Sequence, residues 1–179
     1  MAKIEPIQDT SGIRRSWEKI FKSNDPFCIP FQPKVNAYQI FFPTVGVQLT
    51  ESQYEAVTMA ARLSGDHGFV ISEVEVEGDF FKQGKHWWCE FPKYEDYLEL
   101  PLYVENALYS IHSHWGVLIS HENHAVVGGS EPFIAIVLKM YPNCQSDIIQ
   151  LINYWMELLG YQERCPKWIT NMFGGLCEK

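Results

Sequence analysis

Four of the chain's six histidines, His112, His114, His121 and His124, lie in one short stretch. Imidazoles that close in sequence are the raw material of a zinc site, and a carboxylate such as Glu122 is the general base a metal-dependent hydrolase would need. The spacing argues against a single centre. Trp115 to Ser130, WGVLISHENHAVVGGS, reads as two short apolar strands joined at Glu122-Asn123 and running through two glycines into a helix start. With a two-residue turn, His121 faces His124, Ile119 faces Val126 and Val117 faces Gly128. Opposed Cβ atoms sit about 4.5 to 5.5 Å apart, so His121 and His124 can share a ligand. Residues 115–120 separate them from His112 and His114 by roughly 20 Å of extended chain. The two pairs therefore fall at opposite ends of one strand.

Two half-sites remain open, because His112 and His114 at i and i+2 share a strand face. Motif spacing gives them little support. The histidines of HENH stand at i and i+3, whereas the helical HExxH motif needs i and i+4. His112-Ser113-His114 is similar to the His-x-His of JAMM-type metalloproteases. That family also needs a serine and an acidic ligand downstream, and Glu122 and Ala125 do not match them. The expectation is that no metal or other cofactor is bound and that the imidazoles bond to backbone. Gly128-Gly129-Ser130 resembles an anion-binding turn only in outline. Glu131 in the following first turn would repel phosphate, so a tight turn with a serine cap is expected.

The acidic residues have a clearer distribution. The formal charge is −8, and Glu73, Glu75, Glu77, Asp79, Glu90, Glu95, Asp96, Glu99 and Glu105 fall in a segment whose only bases are Lys82, Lys85 and Lys93. Phe69 to Glu77 alternates apolar and polar residues, which predicts a strand with Val70, Ser72, Val74 and Val76 on one side. Ile71, Glu73, Glu75 and Glu77 take the other side, with neighbouring carboxylates about 7 Å apart. Rings crowd the same segment, and adjacent Trp87 and Trp88 on a strand must face opposite ways. One indole is exposed unless both sheet faces are covered. Exposed rings beside carboxylates are the means by which an interface anchors and steers a basic protein, while nucleic acid is repelled. The expected contact residues are Glu73, Glu75, Glu77, Asp79, Trp87, Trp88, Glu95 and Asp96.

The elements that must position these groups follow from pattern. Ile13 to Lys22 predicts a helix with Ser11 as cap. Pro26, Pro30, Pro33 and Pro43 mark an extended connector holding a strand at Tyr38 to Phe42. Thr50-Glu51-Ser52-Gln53 has capping-box spacing and opens a helix to about Ser64, stopped by Gly65. Further strands are expected at Lys85 to Phe91 and around Leu100 to Tyr109. After the hairpin come a helix capped by Ser130 and ending near Pro142, a helix over Ser146 to Leu159 stopped by Gly160, and a short helix starting at Pro166.

Strands clustered between helices predict an α+β fold: a mainly antiparallel sheet of about five strands with helices packed on one face, in a single domain over residues 1–179. At 179 residues, with 46% hydrophobic and 20% charged residues, the chain can bury a full core. Five dispersed cysteines without a CxxC pair read as reduced core residues. The first residues lack a secretory pattern and no apolar run is long enough to span a membrane, so a cytoplasmic protein with no membrane partner is expected. The function these features favour is a non-catalytic protein-binding module, a small acidic inhibitor or immunity-type protein holding a basic partner. The alternative is a metal-dependent hydrolase built on the histidine-rich hairpin.

Overall fold

A computed structural model describes residues 3–158, Gly160 and 167–173. Along the chain lie β1 (Ile4–Pro6), α1 (Ser11–Ile20), β2 (Ala37–Phe41), α2 (Glu51–Leu63), β3 (Phe69–Glu73), α3 (Phe80–Gln83) and β4 (His86–Cys89). They are followed by α4 (Tyr94–Leu98), β5 (Asn106–Tyr109), β6 (Trp115–Ile119), β7 (Ala125–Gly129), α5 (Glu131–Met140), α6 (Cys144–Leu158) and α7 (Lys167–Phe173). The strands form one sheet in the order β1-β4-β3-β5-β6-β7-β2, and every neighbouring pair is antiparallel. The sheet thus has seven strands rather than five. The unexpected members include β1, only three residues long, which covers the edge of β4.

Helices cover both faces of the sheet, not one. Against the first face, Tyr54, Val57 and Ala61 of α2 and Phe133, Ile134 and Val137 of α5 pack over Phe69, Ile71, Val117 and Val127. Against the second, Ile13, Trp17 and Ile20 of α1, Ile148 and Leu151 of α6 and Ile169 of α7 pack over Ile40, Val70, Leu118 and Val126. The central strands dictate this arrangement. Val70-Ile71, Val117-Leu118-Ile119 and Ala125-Val126-Val127 are apolar on both sides of the pleat, so both sides must be kept from water. No helix among the described residues is long and apolar enough to cross a membrane.

Local chemistry sets the element ends. Thr50 and Gln53 form the expected capping box at the start of α2, and Gly65, at a φ of 91°, follows its end. Ser130 accepts the Phe133 amide at 3.3 Å and caps α5. Thr10, not Ser11, precedes α1, and its side chain makes no capping bond. Pro166 lies outside the described residues. Cys89 and Cys144 are buried free thiols, both pushed up to about 12 by that burial, as core cysteines should be; Cys165 and Cys177 are outside the described residues.

The two glycines ahead of Ser130 belong to β7. Gly128 pairs across the hairpin with Gly116, and this bare patch of sheet receives two rings. A Cβ on Gly116 would stand 2.4 Å from Phe21 Cζ, and one on Gly128 would stand 2.4 Å from Phe31 Cε2. On the opposite face a Cβ on Gly129 would meet Phe133 at 2.6 Å. These glycines are therefore packing sites. Gly128→Ala should lower stability by about 1–3 kcal/mol through overpacking against Phe31. Gly12→Ala, whose new Cβ meets nothing within 4 Å, should leave the urea midpoint unchanged or raise it.

Two histidines are buried in the second layer. His86 Nδ1 is 2.7 Å from Ser72 Oγ, and His124 Nε2–H donates to the Pro26 carbonyl at 3.1 Å with Phe27 and Trp168 against its ring. Burial lowers both from the ordinary value of 6.5. Below that pH the unfolded chain takes up protons that the folded chain refuses. Stability should fall as pH drops from 6.5 toward the folded values, by up to about 1.4 kcal/mol per pH unit for each histidine. His124→Phe should flatten the dependence of unfolding free energy on pH between neutrality and mild acid.

Candidate functional site

The β6–β7 connection decides where the histidines point. Ile119 pairs with Ala125 and the Ser120 amide donates to the His124 carbonyl at 2.9 Å, so the turn is the three residues His121-Glu122-Asn123. Asn123 takes a φ of 59° to close it, a conformation that asparagine tolerates well. The expected two-residue turn was one residue too short, and the true register pairs Leu118 with Val126 and Val117 with Val127. A slip of one residue changes the face of every side chain. His121 stands in the turn, half-exposed, and His124 is buried in the second core layer, so they do not share a ligand.

His121 meets carboxylates instead. Its Nδ1 is 3.2 Å from Glu105 Oε1 and 3.3 Å from Glu75 Oε2, and its Nε2 is 3.5 Å from Glu122 Oε1. Ser120 Oγ donates to Glu105 Oε1 at 2.9 Å, and the Glu105 amide donates to Glu75 Oε2 at 3.1 Å. Burial pushes the Glu105 carboxyl up, opposed by the Ser120 hydroxyl and by His121. Glu75, Glu105 and His121 each place one donor atom within 4.8 Å of the other two, and they are the one such group of three among the described residues.

Other groups gather at this end of the sheet. The Thr44 amide donates to the Asn123 carbonyl, Asn106 Nδ2 to the Val47 carbonyl, and Gln48 Nε2 to the Tyr97 and Leu98 carbonyls. These bonds bring loop 43–48 and the end of α4 around the hairpin turn, and the bonds of Glu105 with Val74 and Glu75 bring the 74–78 bend to the same end. Three apolar side chains stay open to water here: Tyr103 at 78%, Val45 at 54% and Leu98 at 38%. Lys85 Nζ lies 6.0 Å from the Tyr103 ring centroid.

At the opposite end, His112 and His114 stack with centroids 6.0 Å apart beside Asp66. The Asp66 carboxylate is fully buried. It accepts Trp115 Nε1–H at 2.7 Å and the Ser110 hydroxyl at 2.9 Å, with His114 Nε2 at 3.2 Å and His112 Nε2 at 3.9 Å. Ser110, His114 and Asp66 are the residue types of a hydrolytic triad, but the geometry prevents a relay. The same His114 nitrogen faces both the serine and the aspartate, and Ser110 is fully buried. Asp66 is a structural anchor that ties the end of α2 to β5 and β6.

The expected contact residues do not form one surface. β3 stops at Glu73, which is buried and accepts the Lys85 amide at 3.0 Å, so the three-glutamate strand stripe is not formed; Glu75 and Glu77 are exposed beyond the strand end. Asp79 caps α3 and pairs with Arg14 at 2.6 Å. Trp87 is buried in the first layer and Trp88 is half-buried against the second, because both faces are covered. Neither is an exposed anchor. Glu95 and Asp96 belong to the first turn of α4, which packs on α2 through the stacked rings of Tyr97 and Tyr54. The sequence marks Tyr103 as one of several rings in the acidic segment without singling it out, gives Glu105 no role of its own and offers no signal for Asp66. Position 103 carries no local signal of its exposure, and Asp66 meets Trp115 across 49 residues of chain.

Comparison of the chain with protein-family models, with curated proteins and with solved structures finds no match. The two ends of the sheet should respond differently to substitution. Asp66→Ala strands the buried Trp115 and Ser110 donors and should cost at least about 3 kcal/mol in urea unfolding. Glu75→Gln, on an exposed side chain, should stay within about 0.5 kcal/mol of the parent.

Proposed function

We propose that this chain is a non-catalytic protein-binding module that holds a basic partner on the sheet end built around the 121–123 turn. The observation that carries the reading is Tyr103, 78% exposed two residues before Glu105, at the sheet end that also holds Glu75 and Glu122, with Val45 and Leu98 open to water at the same end. Tyrosine is among the residues that dominate binding energy when an interface buries them. Carboxylates around such a ring give little affinity in water but steer approach and select the sign of the partner. The net charge of −8 speaks against nucleic acid as the partner.

The test is to isolate the partner by affinity capture and follow association of the pure pair by stopped flow. The association rate should fall steeply as salt rises, and Glu75→Gln with Glu77→Gln should lower it further while leaving dissociation nearly unchanged. Tyr103→Ala should weaken binding by at least about tenfold through faster dissociation. An association rate indifferent to salt, together with unchanged affinity of Tyr103→Ala, would remove this surface from the interaction.

A further inference from the structure

We infer that Glu75, Glu105 and His121 form a binding site for a divalent transition cation of the zinc type. Two of the three distances between donor atoms have the spacing of a ligand shell, and all three atoms lie within 4.8 Å of one another. Nδ1 of His121 is 3.2 Å from Glu105 Oε1 and 3.3 Å from Glu75 Oε2. Zinc held tetrahedrally with bonds of 2.0–2.2 Å sets its ligand atoms about 3.3–3.6 Å apart. An imidazolium ion pair explains these distances less well. One Nδ1–H cannot point along two directions at once, and charge-assisted bonds of that kind close to about 2.7–2.9 Å. A cation between the three atoms satisfies all of them together.

The surroundings are those a bound metal requires. Glu122 stands 3.5 Å from His121 Nε2, on the ring nitrogen away from the cluster, where a carboxylate orients a metal-ligating imidazole and raises its basicity. Ser120 Oγ holds Glu105 Oε1, and the Glu105 amide holds Glu75 Oε2, so both carboxylates are aimed before any ion arrives. Glu105 is only 7% exposed, and a doubly charged ion offsets its buried negative charge. The half-exposed His121 and Glu75 leave the outer side open to water ligands. A mixed nitrogen and carboxylate set favours zinc or cobalt over calcium and magnesium, which prefer all-oxygen shells.

This inference uses Glu75 in common with the proposed partner surface but does not depend on a partner, because it is tested on the protein alone. The full chain, purified without a histidine tag and stripped with chelator, is dialysed against zinc chloride, and metal content and melting temperature are measured. One zinc per chain and a raised melting temperature are expected. His121→Ala, at a half-exposed turn position that should fold normally, and Glu105→Gln should each lose at least about tenfold in affinity, and Glu122→Gln about tenfold. His112→Ala should bind as the parent does. Side-chain nitrogen NMR should place the metal on Nδ1 of His121 with Nε2 still protonated, and cobalt should give visible absorption of a low-coordinate site. Absence of stoichiometric zinc, or zinc retained equally by His121→Ala, would overturn the assignment, and either result leaves the salt and Tyr103 experiments to decide the partner reading separately.

Discussion

Asn123 enters the left-handed region at a φ of 59°, and the hairpin between β6 and β7 becomes three residues long at its turn. From that one backbone choice the register of the central sheet follows. Gly116 comes opposite Gly128, which clears the surface on which Phe21 and Phe31 lie. Leu118 comes opposite Val126, so both contribute to the second core layer, and Val117 with Val127 to the first. His124 is carried inside and His121 outside. A turn shorter by one residue would instead set His121 opposite His124 on one face of the sheet and lose this register.

Covering both faces of the sheet leaves its two ends as the places where polar groups meet water. They have been used differently. Asp66 is shut away at one end, where Trp115, Ser110 and His114 surround its carboxylate. A charge buried so completely is tolerable only because donors converge on it, and it fastens α2 to the strands. At the other end Glu75, Glu122 and His121 remain half in water around the buried Glu105, and Tyr103 and Val45 are open at the same end of the sheet. Groups left solvated and apolar side chains left uncovered are available to a ligand; groups already satisfied in the interior are not.

Much of the scaffold was legible from local pattern. The capping box of α2, the serine cap of α5, the strand at Ala37–Phe41 and the long helix Cys144–Leu158 all came from signals within a few residues. The errors arose where a residue's surroundings come from elsewhere in the chain. Alternating glutamates after Phe69 suggested a wet strand face, but β3 lies inside the sheet between β4 and β5 and ends at Glu73, before the Val74-Glu75-Val76-Glu77 part of the alternation. Trp87 and Trp88 were expected to leave one indole exposed, and the helices on both sides took that exposure away.

The amino-acid sequence by itself determined an antiparallel α+β architecture, the ends of its longer helices and an acidic surface, because hydrophobic period, capping chemistry and net charge are properties of neighbouring residues. Only the tertiary structure decided that His121 meets Glu75 and Glu105 rather than His124. Those three groups come from separate turns joined by the sheet, and which side chains converge there depends on strand order and a single-residue register. Neither is written in the spacing of any one segment.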